Sequence, residues 1–230
     1  MAGDHPGDSV ETDLETDLAL EAGVRAEIET LAAERLVFFS DAVVAIAITL
    51  LAIDLPLPAG RDQAAFLASL AANAPEYTSF VISFAVIALH WVHHNAMFRY
   101  VSRLDGRVVV LNLVWLLLIV ITPFMTRLLG GDELTLIRFG MYAGTQALQS
   151  TVFAVLGWTL VRHRLLRPGI PDAIARRGAQ SSLLAAAAFA VSVPLFALVG
   201  PWAFACWAVI PILGSRLLPA NRRSRARVAG

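Results

Sequence analysis

Arg35-Leu36-Val37-Phe38-Phe39-Ser40-Asp41 opens a run that stays almost wholly apolar from Leu36 to Pro58, with Asp41 inside it. A carboxylate within a membrane span is costly and ordinarily has both a partner and a task. Beyond it, Ile46, Leu50 and Ile53 recur at helical spacing, with Thr49 beside the stripe they form. A polar start followed by an apolar stripe fits a helix that lines a pathway. A hydrophobic ring gates by dewetting, because a dehydrated ion is unstable in apolar surroundings, and a Thr hydroxyl offers oxygen to a partly hydrated cation. From periodicity alone, contact with lipid or neighbouring helices is the plainer reading, since every membrane helix carries such stripes. Arg35 and Asp41 stand about 120° apart around an ideal helix, so each is expected to reach a neighbouring helix rather than the other.

The remaining composition is that of an integral membrane protein. Of 230 residues, 57% are hydrophobic and 16% charged, and the mean hydropathy is +0.67. Soluble domains carry about a quarter of their residues charged. The net charge of zero hides a segregation. Residues 1–30 are acidic, from Asp4 and Asp8 to Glu27 and Glu29, and are expected to form a largely disordered cytoplasmic segment with some helix after Ala22. Residues 219–230 are a basic tail carrying Arg222, Arg223, Arg225 and Arg227. The N-terminus lacks the basic start and short apolar core of a signal peptide. The single cysteine, Cys206, lies in an apolar run and reads as packing.

Residues 31–218 read as six membrane spans, each an apolar run of about 20 residues. They cover 33–55, 77–98, 108–129, 134–161, 180–199 and 202–218, with Gly200-Pro201 turning the fifth tightly into the sixth. Arg99, Arg103 and Arg107 follow the second span, and Arg162, Arg164, Arg167, Arg176 and Arg177 follow the fourth. The alternate connections are poor in Arg. That asymmetry predicts an even number of spans with both termini cytoplasmic, in a multi-pass plasma-membrane protein.

His90, His93 and His94 share a face of the second span at spacings that can hold a metal. No cysteine or carboxylate accompanies them on that helix, so no metal site is expected. Hydrogen bonds to Asp41, Ser40 or Arg35 suit them better. Asn112 in the third span needs a partner in lipid, as do Gln146, Gln149 and Ser150 in the fourth, and interhelical bonding is their default role. Pro123 frees a carbonyl for Thr126 or water. No hydrolase elbow, phosphate-binding glycine loop or Cys-His metal box occurs, which leaves an enzyme little to stand on. No cofactor or nucleic-acid partner is expected.

Taken together, these motifs resemble the prokaryotic branch of the transmembrane protein 175 family of endosomal and lysosomal potassium channels. The resemblance rests on Arg35, then Phe39-Ser40-Asp41, on Trp91-Val92-His93-His94 with Phe98, and on Asn112-Leu113 with Pro123-Phe124-Met125-Thr126. It covers the first three helices in order. What it implies is a homotetramer of all-α, six-span subunits whose first helices line a central pore, conducting potassium passively without a conventional selectivity filter. By position, it implies a constriction at Ile46, further apolar layers at Leu50 and Ile53, and selectivity at Thr49. It also implies a bracing network of Arg35, Phe39, Ser40, Asp41, Asn112 and either His93 or His94. His90 stands where the family pattern has a Tyr. The competing expectation is a proton-coupled cation carrier using Asp41 and the second-span histidines.

Overall fold

Once a helix is nucleated, each added residue gains a hydrogen bond at little further cost, so a helix continues until something stops it. The computed structural model describes residues 6–131 and 133–217, and its first helix shows this rule. Helix α1 runs unbroken over Pro6–Ile53, 48 residues. At about 1.5 Å per residue this is roughly twice the thickness of a bilayer core. The acidic segment expected to be largely disordered is therefore helical from Pro6 onward. Its Ala, Leu and Glu residues are good helix formers, and the span behind it supplies the nucleus. Residues 1–5 and the basic tail 219–230 lie outside the described residues.

The chain continues through α2 (Gln63–Ala72), α3 (Ala74–Phe98), α4 (Gly106–Gly130), α5 (Leu136–Arg162), α6 (Asp172–Val199) and, after a 3-10 turn over Gly200–Phe204, α7 (Ala205–Leu217). Helix α2 was not expected from the sequence. Asp62 starts it by accepting from the Ala65 amide at 2.8 Å, the standard way a carboxylate fills an orphan donor at a helix start. Asp105 starts α4 likewise, accepting from the amides of Arg107 at 2.7 Å and Val108 at 3.1 Å. The Val108 amide bond, more than any other contact, holds the Asp105 carboxyl below its usual range. Gly200 closes α6 at φ +59, a conformation that side chains rarely adopt, and Pro201 follows where no amide is needed.

Among the described residues, four helical stretches are long and apolar enough to cross a membrane: 16–53, α3, α4, and α6 running on to residue 213. The fold is thus an all-α, multi-span membrane architecture. Helix α5 is long enough at 27 residues, but Thr145, Gln146, Gln149, Ser150 and Thr151 dilute its apolar character. It packs between α4 and α6 and buries that polar face inside the bundle.

One apolar core joins α1, α3, α4 and α5 around Val44, Ile87, Trp115, Ile119 and Phe153. The other joins α5, α6 and α7, where Trp207 lies against Phe139, Tyr142 and Phe189 and donates from Nε1 to Ser192 Oγ at 2.9 Å. Polar bonds run between the cores. Thr126 Oγ1 contacts Ser83 Oγ at 2.8 Å, Ser83 donates to Tyr142 Oη at 3.0 Å, and Gln146 Nε2 donates to Thr122 Oγ1 at 3.3 Å. Gln149 and Ser150, expected to bond across helices, have no side-chain hydrogen-bond partner among the described residues, although both are buried. Thr126 reaches the carbonyl of Thr122, not the Ile119 carbonyl that Pro123 leaves free. Its side chain bonds within its own turn, three to four residues back, as Thr does in helices.

At Gly130 α4 passes α3 closely. A Cβ there would lie 2.5 Å from Ser79 Oγ and 3.0 Å from the Glu76 backbone. Gly130→Ala is expected to cost about 1–3 kcal/mol through overpacking. A lowered melting temperature in detergent would show it, and an unchanged one would refute the close packing.

Candidate functional site

Helix α1 has two faces. Ala33, Ser40, Val44, Ala47 and Leu51 form one buried stripe, spaced by seven, four, three and four, against α3 and α4. Ile46 and Ile53 stand about 120° or more around the helix from the centre of that stripe, and Leu50 about 90°. They are uncovered, at 60%, 39% and 74% exposure. Thr49 is also exposed. Its hydroxyl donates to the Ile46 carbonyl at 2.8 Å, which leaves the oxygen lone pairs free to accept.

A polar latch fixes which face points where. Ser40, fully buried, donates to its own helix at the Leu36 carbonyl, 2.8 Å away, and accepts from Asn112 Nδ2 of α4 at 2.9 Å. Asn112 Oδ1 accepts in turn from His94 Nε2 of α3 at 2.9 Å. With the Asn amide nitrogen committed to Ser40, the histidine must carry its proton on Nε2. The imidazole is held between rings, stacked on Phe98 at 4.2 Å and on Trp115 at 4.6 Å between centroids. His94, at 1% exposure, is therefore the histidine of the latch, while its neighbour His93 is exposed. Adjacent helical residues point about 100° apart, so only one of the two can enter the bundle.

Asp41 is met by neutral donors. Trp91 Nε1 donates to Asp41 Oδ1 at 2.9 Å, and Asn95 Nδ2 donates to the same oxygen at 3.2 Å. The histidines and Arg35 do not bond to it. Arg35 and Phe39 are exposed, and Arg35 makes no hydrogen bond or ion pair among the described residues. In the sequence Trp91 stands out only as part of the family motif, and Asn95 is not singled out. The signal was available: 91 and 95 are one helical turn apart and share a face of α3. Among the described residues no group of three or more His, Cys, Asp or Glu could hold a metal ion.

The arrangement can hold α1 in a fixed rotation while leaving an apolar stripe with one hydroxyl layer open on its other side. Nothing in it resembles a nucleophile with a general base. Comparison with known proteins agrees. Residues 35–123 match the family of the endosomal/lysosomal potassium channel TMEM175. The chain is 34% identical over 143 residues to a potassium channel of Streptomyces collinus, covering 60% of this chain and 69% of that one. It is 38% identical over 97 residues to a potassium channel of Chamaesiphon minutus, covering 41% of this chain and 48% of the relative. Its fold is similar to the crystal structure of a lysosomal potassium-selective channel TMEM175 homolog from Chamaesiphon minutus. That match has TM-score 0.59 and 30% identity and covers 82% of this chain and 99% of that one.

These matches define an ion channel, a membrane protein whose work is passive transport and not covalent chemistry. The chain belongs to the TMEM175 potassium-channel family, and its function is that family's potassium conduction. One expectation is corrected. The matched family is described as endosomal/lysosomal, which overturns the plasma-membrane location, while the multi-pass character stands. The Arg asymmetry from which orientation was read carries no information about which membrane holds the protein.

Proposed function

We propose that the chain conducts potassium down its electrochemical gradient through a central pathway lined by α1 from four identical subunits. Six segments cross in each subunit: α1, α3, α4, α5, α6, and the 3-10 turn with α7. Residues 31–218 form this channel domain. Ile46 makes the narrow apolar ring, Leu50 and Ile53 the next layers, and Thr49 the oxygen layer that discriminates among cations. The latch of Ser40, Asn112 and His94, with Asp41 held by Trp91 and Asn95, keeps that stripe turned toward the axis.

The observation that supports this reading is the division of α1 into a pinned face and a bare one. The bare face is apolar over Ile46, Leu50 and Ile53, and the exposed Thr49 hydroxyl lies beside it. Symmetric copies facing one another give the stripe both cover and purpose.

The test is reconstitution into liposomes with potassium and sodium flux, together with the particle mass in detergent. The expected result is potassium flux that persists without a proton gradient, from a particle of four chains. Electrically silent flux that requires a proton gradient would contradict it, and so would a stable single-chain particle that conducts.

A further inference from the structure

At the Arg-rich end of the bundle, two connections are locked together. The α3–α4 connection and the α5–α6 connection meet in a two-residue antiparallel bridge, Val101 with Leu166. Ser102 N donates to Leu165 O at 2.9 Å, and Arg167 N donates to Tyr100 O at 2.8 Å. Ser102 Oγ adds a bond to the same Leu165 carbonyl at 3.1 Å. Beside this clamp, Arg107 contacts His163 Nε2 at 2.8 Å, and His163 Nδ1 lies 3.4 Å from Asp105. Arg164 is held at φ 53, a left-handed conformation that a side chain adopts only when its surroundings over-determine it.

The clamp presents charge. An open groove of about 540 Å³ runs between it and α1, whose wall is Ala26, Glu29 and Thr30. Across the groove stand Arg103, Arg164 and Arg167. Arg103 and Arg164 have no side-chain hydrogen bond or ion pair among the described residues, and Arg167 uses only Nε, on the Val101 carbonyl at 3.5 Å. Glu29 pairs with none of them. Arg103, Arg164 and Arg167 thus line one groove with a single carboxylate, Glu29, on its opposite wall, and their forked donors are free.

We propose that this groove binds a phosphate-bearing anion. Guanidinium forks match the paired oxygens of phosphate, and a dianion balances the net charge that the three Arg leave after Glu29. The groove lies just beyond the ends of α3, α4, α5 and α6, the level at which a bilayer carries its phosphate groups. The same chemistry is available from an anionic lipid headgroup or from a free phosphate. A bound anion would tie the extension of α1 to the clamp.

Native mass spectrometry of the purified full chain tests this, titrated with dioctanoyl phosphatidic acid and, in a second arm, with inorganic pyrophosphate. Phosphatidylcholine of equal chain length is the control. Arg103→Gln is expected to weaken binding about tenfold, the loss of one charged hydrogen-bond partner. Glu29→Gln is expected to tighten it about threefold, since it removes the opposing charge. The triple change of Arg103, Arg164 and Arg167 to Gln is expected to abolish binding. Should the triple variant fail to fold, the opposite responses of the two single variants decide. Tighter binding of phosphatidic acid than of pyrophosphate assigns the site to a lipid headgroup, and equal binding assigns it to free phosphate. The proposal is overturned if neither anion binds, if phosphatidylcholine binds as well as phosphatidic acid, or if Arg103→Gln and Glu29→Gln leave both affinities unchanged.

Discussion

Ile46→Asn is expected to raise potassium flux through reconstituted channels by about tenfold or more, and to admit sodium with it. In the proposed tetramer, a ring of four sec-butyl side chains would give a passing cation no replacement for the water it sheds, so the narrow layer would dry and the ion would meet a barrier. Four carboxamides would hold water there and offer oxygens to the ion. Lowering the barrier by about 1.4 kcal/mol is already a factor of ten in rate. The substitution leaves folding nearly untouched, because Ile46 is 60% exposed in the subunit and packs little against its own chain. Surface changes of this sort usually alter stability by only about 0.5 kcal/mol. A change in flux at constant stability is therefore the signature. If flux and the potassium-to-sodium ratio both stay at wild-type values, Ile46 is not the constriction.

The second large effect falls on stability. Asn112→Leu removes the residue that joins three helices, and it does so where no water can substitute. Asn112 and Ser40 are fully buried, and His94 is 1% exposed. The substitution leaves the His94 Nε2 proton without an acceptor and withdraws the donor from Ser40 Oγ. An unsatisfied buried group costs about 1–3 kcal/mol, so the pair is expected to cost about 2–5 kcal/mol. For a chain of this size that corresponds to a melting temperature about 5–15 °C lower in detergent. Leu keeps the branched shape of Asn, although its two methyl groups are bulkier than the amide, so some overpacking adds to the loss. A melting temperature within a degree or two of wild type would show that the latch contributes nothing to holding α1.

The two predictions concern opposite faces of one helix, and they differ in how visible each face was in the sequence. The bare stripe was legible as a pattern: Ile46, Leu50 and Ile53 can be read off by spacing, as can the odd hydroxyl of Thr49. What spacing could not supply was which way the stripe turns. That depends on Ser40, whose burial follows from Asn112 on a helix more than seventy residues later in the chain. Asp41 and Asn112 stood out because polar groups in lipid need partners. Their partners stayed hidden, since pairing depends on how three helices are rotated against each other. His93 and His94 are adjacent in sequence and chemically identical, and only the stack of Phe98 and Trp115 selects the second.

Other features were illegible for different reasons. The continuation of α1 to Pro6 is a property of helix propagation, and its acidic composition pointed instead to disorder. The clamp at Val101 and Leu166 joins two short connections, and no local pattern announces an isolated bridge between residues so far apart. The buried polar face of α5 was read as interhelical bonding. Only Gln146 shows it, and Gln149 and Ser150 beside it have no side-chain partner among the described residues.

The most direct test of the account is metal block of a cysteine placed at the bare stripe. The native Cys206 is first replaced by Ala, and Ile46→Cys is made in that background. Four thiols meeting around an axis would trap cadmium, a soft ion that prefers sulfur. The account predicts that cadmium stops potassium flux in this variant, that a chelator restores it, and that Cys206→Ala alone is unaffected. Undiminished flux at saturating cadmium would place position 46 against lipid and contradict a pore lined by α1.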